Sequence, residues 1–128
     1  MSGEKHKIAL IEDEKDLAEI YNLKMNMEGI ETIVIHDSTK ALDVLRHAKP
    51  DLVLLDILMP ELDGFQLFAK MKADKDLKKL RVYIWSNLTQ KRDREKAEKL
   101  HVDGYLIKSD YTPATLVDKV KELLQTNN

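Results

Sequence analysis

Cysteine is absent from all 128 residues, which excludes a disulfide framework, a thiol nucleophile and a zinc-thiolate site, and fits a reducing compartment. Glycine and proline number only four and three, and no repeat, linker or low-complexity stretch interrupts the chain. No segment approaches the ~20 apolar residues of a membrane span. The amino terminus, Met1-Ser2-Gly3-Glu4-Lys5-His6-Lys7, has no apolar stretch behind its charges. The formal net charge is only -2, with 21 basic against 23 acidic side chains, so neither a nucleic-acid footprint nor an acidic disordered tail is indicated. These absences leave a soluble globular protein with no membrane partner and no direct nucleic-acid partner, and the expected address is the cytoplasm. The length suits one domain spanning 1–128, with a core over about 6–125.

What the chain does contain is a set of short apolar runs that end in reactive side chains. Leu52-Val53-Leu54-Leu55 reads as a strand buried on both faces, and it ends at Asp56. Lys7-Ile8-Ala9-Leu10-Ile11 ends in Glu12-Asp13-Glu14, Arg81-Val82-Tyr83-Ile84-Trp85 in Ser86-Asn87, and Gly104-Tyr105-Leu106-Ile107 in Lys108. A fifth strand is expected over Glu31-Thr32-Ile33-Val34-Ile35.

Helical patterns separate these runs. Leu17, Ile20, Tyr21, Lys24 and Met27 recur at helical spacing before Gly29, a helix terminator. Ser38 is the expected cap of a helix carrying Ala41, Leu42, Leu45 and Ala48, stopped by Pro50, and Asp63 caps one carrying Phe65, Phe68 and Met71. Thr89 is expected to open a helix over Gln90 to Leu100 that is almost entirely charged. The last helix has Thr112 as cap, Pro113 at its first position and Leu116, Val117, Val120, Leu123 and Leu124 on one face. Five strands alternating with five helices predict an α/β fold, a doubly wound parallel sheet with helices on both faces. In such a sheet ligands bind beyond the carboxyl ends of the strands, so Glu12, Asp13, Asp56, Ser86 and Lys108 should share one pocket.

Clustered carboxylates repel, and two unit charges ~4 Å apart cost ~4 kcal/mol at an effective dielectric near 20. Lys108 offsets part of this, and an oxygen-only set of Glu12, Asp13 and Asp56 suits a hard cation such as Mg²⁺. Carboxylates alone are equally well a surface acidic patch with Lys108 as counter-ion, and Ser86 alone is more often a turn or cap residue. Together, a hydroxyl and an ammonium beside a metal-bound carboxylate can hold the oxygens of a transferring phosphoryl group, with an aspartate as nucleophile.

In these residues the whole chain resembles the receiver domain of two-component response regulators, the CheY-like superfamily with its flavodoxin-like five-stranded sheet. The acid pair resembles Glu12-Asp13, the phosphoacceptor Asp56 in Asp56-Ile57-Leu58-Met59-Pro60-Glu61-Leu62-Asp63-Gly64, the switch hydroxyl Ser86, the lysine Lys108 and the switch aromatic Tyr105. The resemblance implies that a histidine kinase or phosphotransfer protein donates phosphate to Asp56. Mg²⁺ would be held by Asp13, Asp56, the carbonyl of Leu58 and, through water, Glu12. It also implies a phosphoacceptor signalling domain that catalyses its own phosphorylation and dephosphorylation and is otherwise not an enzyme. A downstream target would meet the last two helices and the strand between them, on a monomer or a phosphorylation-promoted dimer.

Three positions depart from the family pattern: Trp85 is large, Asn87 replaces a small residue, and Ser109 stands where proline follows the lysine. Because cis costs ~2.5–4 kcal/mol for a non-proline residue against ~0.5–1 for proline, the Lys108-Ser109 bond should be trans. A haloacid-dehalogenase phosphatase fits less well, since its second aspartate would fall at Leu58. The remaining alternative is a receiver-like adaptor that works without phosphorylation. Only Gln125-Thr126-Asn127-Asn128 closes the chain, so no output module is expected within these residues.

Overall fold

The computed structural model describes residues 6–88 and 90–126. Strands β1 (Lys7–Ile11), β2 (Glu31–Ile35), β3 (Leu52–Leu55), β4 (Val82–Ser86) and β5 (Gly104–Ile107) form one parallel sheet in the order β2-β1-β3-β4-β5. The order reverses between β1 and β3, which opens a crevice at their carboxyl ends. Helices α1 (Lys15–Met27) and α5 (Pro113–Gln125) cover one face, and α2 (Ala41–Ala48), α3 (Gly64–Ala73) and α4 (Lys91–Leu100) the other.

Strand alternation divides the core in two. Ile8, Leu10, Leu52, Leu54 and Trp85 meet α1 and α5, while Ala9, Ile11, Val53, Leu55 and Ile84 meet the opposite helices. β3 is fully buried along its length, as a central strand covered on both sides must be.

Local signals act largely as expected. Gly29 closes α1 at φ +82°, and both Asp63 and Thr112 form reciprocal capping boxes, with Gln66 and Thr115. Pro113 occupies the first turn of α5.

Four details differ or fall outside. α1 turns Ala18, Tyr21 and Met25 inward, leaving Ile20 and Met27 exposed with Leu23. Tyr21, inward as expected, meets Trp85 edge-on with ring centroids 5.4 Å apart. Asp37, not Ser38, caps the next segment: its carboxylate accepts from the Thr39 N–H at 2.9 Å, a stronger acceptor than a hydroxyl. Ser38 lies inside the short 3₁₀ turn Ser38–Lys40, buried. β4 starts at Val82, one residue later than read, although the Arg81 carbonyl still accepts from the Val53 N–H at 2.9 Å as the first bond of the β3–β4 ladder. The expected cap Thr89 lies outside the described residues, as do Met1–Lys5 and the last two residues.

Candidate functional site

Glu12 and Asp56 follow directly on β1 and β3, whose ends are stitched by Asp56 N–H donating to the Ile11 carbonyl at 3.0 Å. Two carboxylates are thereby forced side by side in the crevice. Glu12 is 0% exposed and Asp56 4%. Asp13 is half-buried beside them, and carboxylate oxygens of Glu12, Asp13 and Asp56 all lie within 4.8 Å of one another. The three could hold a metal ion, and all their donors are hard oxygens.

Lys108 enters from the end of β5 and answers the negative charge. Its ammonium donates to Glu12 Oε1 at 2.5 Å and to Asp56 Oδ2 at 3.3 Å. Burial pushes the Asp56 carboxyl up, to about 7, with the Glu12 charge adding to the rise and Lys108 opposing it. Burial works against the Lys108 ammonium, yet its hydrogen bond to Glu12 and the charges of Asp56 and Glu12 outweigh that and raise its pKa. The pocket is thus a strained balance of like charges held by one lysine.

Ser86 ends β4, almost fully buried, with its hydroxyl accepting from the Leu88 N–H at 3.1 Å and no hydrogen bond to Asp56. The other end of that residue is also occupied, because the Tyr105 hydroxyl donates to the Leu88 carbonyl at 2.6 Å. Leu88 therefore links the two side chains: Ser86 holds its N–H and Tyr105 its C=O. Leu58 contributes its backbone, donating to Asp56 Oδ1 at 3.2 Å, while its side chain is 62% exposed beside the pocket. Tyr105 itself is half-buried against α4, with the Arg94 guanidinium 5.2 Å from its ring centroid.

Comparison with known proteins identifies this arrangement. The family described as the response regulator receiver domain matches residues 8–121. The chain belongs to this family. It is a receiver domain of two-component signalling. It is 30% identical over 128 residues to the DNA-binding response regulator MtrA of Mycobacterium tuberculosis, covering 100% of this chain and 54% of that protein. It is 27% identical to the probable transcriptional regulator ycf27 of Guillardia theta, covering 97% of this chain and 47% of that protein. The chain spans about half the length of these curated relatives. Among solved structures, the phosphorylated cyanobacterial phytochrome response regulator RcpA is similar at TM-score 0.82 and 28% identity, with 98% of each chain covered. The chemotaxis protein CheY4 of Vibrio cholerae has the same fold, at TM-score 0.84 and 18% identity over 93% of this chain and 98% of that one.

In this receiver the three departures find places. Trp85 points away from the pocket into the α1 and α5 core, between Tyr21 and Tyr111. Asn87 and Ser109, read as separate oddities, are bonded to each other: Ser109 N–H donates to Asn87 Oδ1 at 2.8 Å. No cis peptide occurs among the described residues, so the Lys108-Ser109 bond is trans, as expected. Gly64 is a site residue that residue chemistry alone misses. A Cβ there would lie 2.3 Å from the Asp56 carbonyl oxygen, so only glycine lets α3 start so close behind the acceptor. Its signal was present in the Asp63-Gly64 pair that opens the helix. Among the described residues no helix is long and apolar enough to cross a membrane.

Proposed function

We propose that the chain is one receiver domain over 1–128 that takes a phosphoryl group onto Asp56 from the phosphohistidine of a histidine kinase or phosphotransfer protein. The observation that carries this reading is the Lys108 ammonium shared between buried Glu12 and Asp56 at the carboxyl edge of the sheet. Asp13, Asp56, the Leu58 carbonyl and, through water, Glu12 would hold Mg²⁺, whose charge would offset that gathering on the phosphoryl oxygens. The donor set fits, being oxygen-only and already gathered within 4.8 Å for the three carboxylates.

A carboxylate oxygen of Asp56 attacks phosphorus, the phosphorus–nitrogen bond of the donor breaks, and the electron pair leaves with the imidazole. Lys108 then has a phosphoryl oxygen to bind in place of the bare carboxylate. Ser86 accepts from the Leu88 N–H and keeps its own O–H proton to donate to a new oxygen; as it turns toward that oxygen it pulls on Leu88, whose carbonyl holds the Tyr105 hydroxyl. The change thereby passes to α4, β5 and α5, the face offered to a downstream protein. Self-catalysed transfer of this kind needs no further enzymatic activity from the domain, and cytoplasm is the compartment where such donors act. The protein works as a monomer or a phosphorylation-promoted dimer. Two similar structures support the chemistry by their own descriptions, one as phosphorylated RcpA and one as the Mn(2+)-bound form of Rcp1.

Incubation with acetyl phosphate and Mg²⁺, read by intact mass, tests the proposal. The wild-type chain should gain one phosphoryl group and Asp56→Asn none. A chain that gains none in the wild-type form would instead be an adaptor that works without phosphorylation.

A further inference from the structure

We propose that Asn87 is a positioning residue for Lys108, acting through the backbone of Ser109; this rests on the phosphoacceptor reading of Asp56. The β4–β5 ladder stops at the pair Ser86 and Ile107. One step beyond, the Asn87 side chain takes over, its Oδ1 accepting from the Ser109 N–H at 2.8 Å. A side-chain amide thus extends the sheet by one rung past its last backbone pair, at the residue that follows the switch hydroxyl.

The bond matters because of what Ser109 follows. Lys108–Asp110 forms a single 3₁₀ turn, closed by the Tyr111 N–H on the Lys108 carbonyl at 3.2 Å. Fixing the Ser109 N–H fixes the plane of the Lys108-Ser109 peptide, and with it the direction in which the Lys108 stem leaves the chain. The two ammonium contacts differ in length, 2.5 Å to Glu12 and 3.3 Å to Asp56, so a small loss of aim loosens the contact to the acceptor first. Proline at this place would lock φ and offer no N–H. Serine has neither constraint, and Asn87 supplies from outside the rigidity that the ring would supply from within. The two departures from the family pattern are one device. The Asn87 side chain bonds Ser109 and none of Glu12, Asp13 and Asp56, and both it and Ser109 are exposed, so its influence is modest and runs through Lys108.

The experiment is a cycle of Asn87→Ala, Lys108→Ala and the double variant, read as the rate of phosphoryl gain from acetyl phosphate. Asn87→Ala should slow the reaction about two- to tenfold, the range a net hydrogen bond allows. In the Lys108→Ala background the same change should do nothing further. Mg²⁺ affinity, followed by NMR titration, should not fall, since none of the three carboxylates lies on this loop and a loosened Lys108 competes less for Glu12 and Asp56. An unchanged rate, an equal loss in both backgrounds, or a fall in Mg²⁺ affinity large enough to explain the rate would overturn the assignment. A direct reading does not depend on phosphorylation: the Lys108 side-chain resonances should shift in Asn87→Ala and return in Asn87→Asp, which keeps the acceptor oxygen. If the wild-type chain gains no phosphoryl group, the function proposed above fails, and this spectrum alone decides the present inference. Unmoved Lys108 signals would overturn it.

Discussion

Helices α4 and α5 flank the same edge strand yet are held by opposite means. α5 buries Leu116, Val117, Val120, Leu123 and Leu124, each worth about 1.5–3 kcal/mol when fully removed from water. α4 buries only Ala97, with Leu100 half-covered, and its other contacts are cations resting on aromatic rings: Arg94 over Tyr105 and Lys96 over Phe65 at 4.9 Å. Exposed cation–π pairs contribute about 0.5–1 kcal/mol each. One helix is thus an anchor and the other an attachment that a small force can shift. The placement is mechanically apt, since the weak helix follows the Ser86 to Leu88 turn and rests on the Tyr105 ring. A perturbation at Asp56 meets little resistance on that side and much on the other.

The largest test is to remove the anchor. Leu116 is 0% exposed, so Leu116→Ala should cost about 2–5 kcal/mol in urea unfolding. The whole domain should unfold earlier in one transition, because both cores share the sheet. A loss confined to α5 exchange, with global stability intact, would show that α5 is no anchor.

Charge at Asp56 should separate the helices next. Its carboxyl is raised from 3.8 to about 7 in the fold, so the folded chain keeps a proton that the unfolded chain releases. The stability this contributes is complete below pH 4 and is lost as pH rises through about 7. In metal-free buffer, Asp56→Asn should therefore be more stable than wild type above pH 7, by about 1–3 kcal/mol once screening is allowed for, and the gap should close toward pH 4. Added Mg²⁺ should narrow the gap by stabilising the ionised wild-type site. Amide exchange should place the alkaline weakening in α4 and leave α5 protected. A pH-independent gap between the two proteins would mean that the carboxyl is not raised.

Most of this architecture was legible in the sequence because its signals are local and redundant. The all-apolar β3 run, the Asp63 and Thr112 caps and Pro113 each fix one element without reference to the rest. Strand ends then bring Glu12, Asp56 and Lys108 together by topology alone. What stayed hidden depends on contacts between distant elements. In α1 the expected Tyr21 and Leu17 do face the core beside Trp85, but Ala18 and Met25 join them there in place of Ile20 and Met27, which are exposed. Asp37 outcompetes Ser38 because its carboxylate is the stronger acceptor for the Thr39 N–H, while the Ser38 hydroxyl turns to the distant Pro60 carbonyl. The Asn87 and Ser109 bond joins residues 22 positions apart, and nothing in either neighbourhood announces the other.

The smallest test addresses the cation–π attachment itself. Arg94 is exposed and its guanidinium lies 5.2 Å from the Tyr105 ring centroid, so the pair adds little to global stability. Arg94→Ala should lower it by no more than about 1 kcal/mol, near the limit of a denaturation measurement. Its local effect should be clearer. Burial raises the Tyr105 phenol pKa and Asp93 raises it further, while Arg94 lowers it, so removing the guanidinium should move that titration upward. With one of its two ring contacts gone, α4 should exchange its amides faster while α5 keeps wild-type protection. Lys96→Ala, which frees the Phe65 contact instead, should speed α4 exchange without moving the Tyr105 titration. Equal acceleration in both helices would mean that α4 is held by the same core as α5, and the contrast between them would fall.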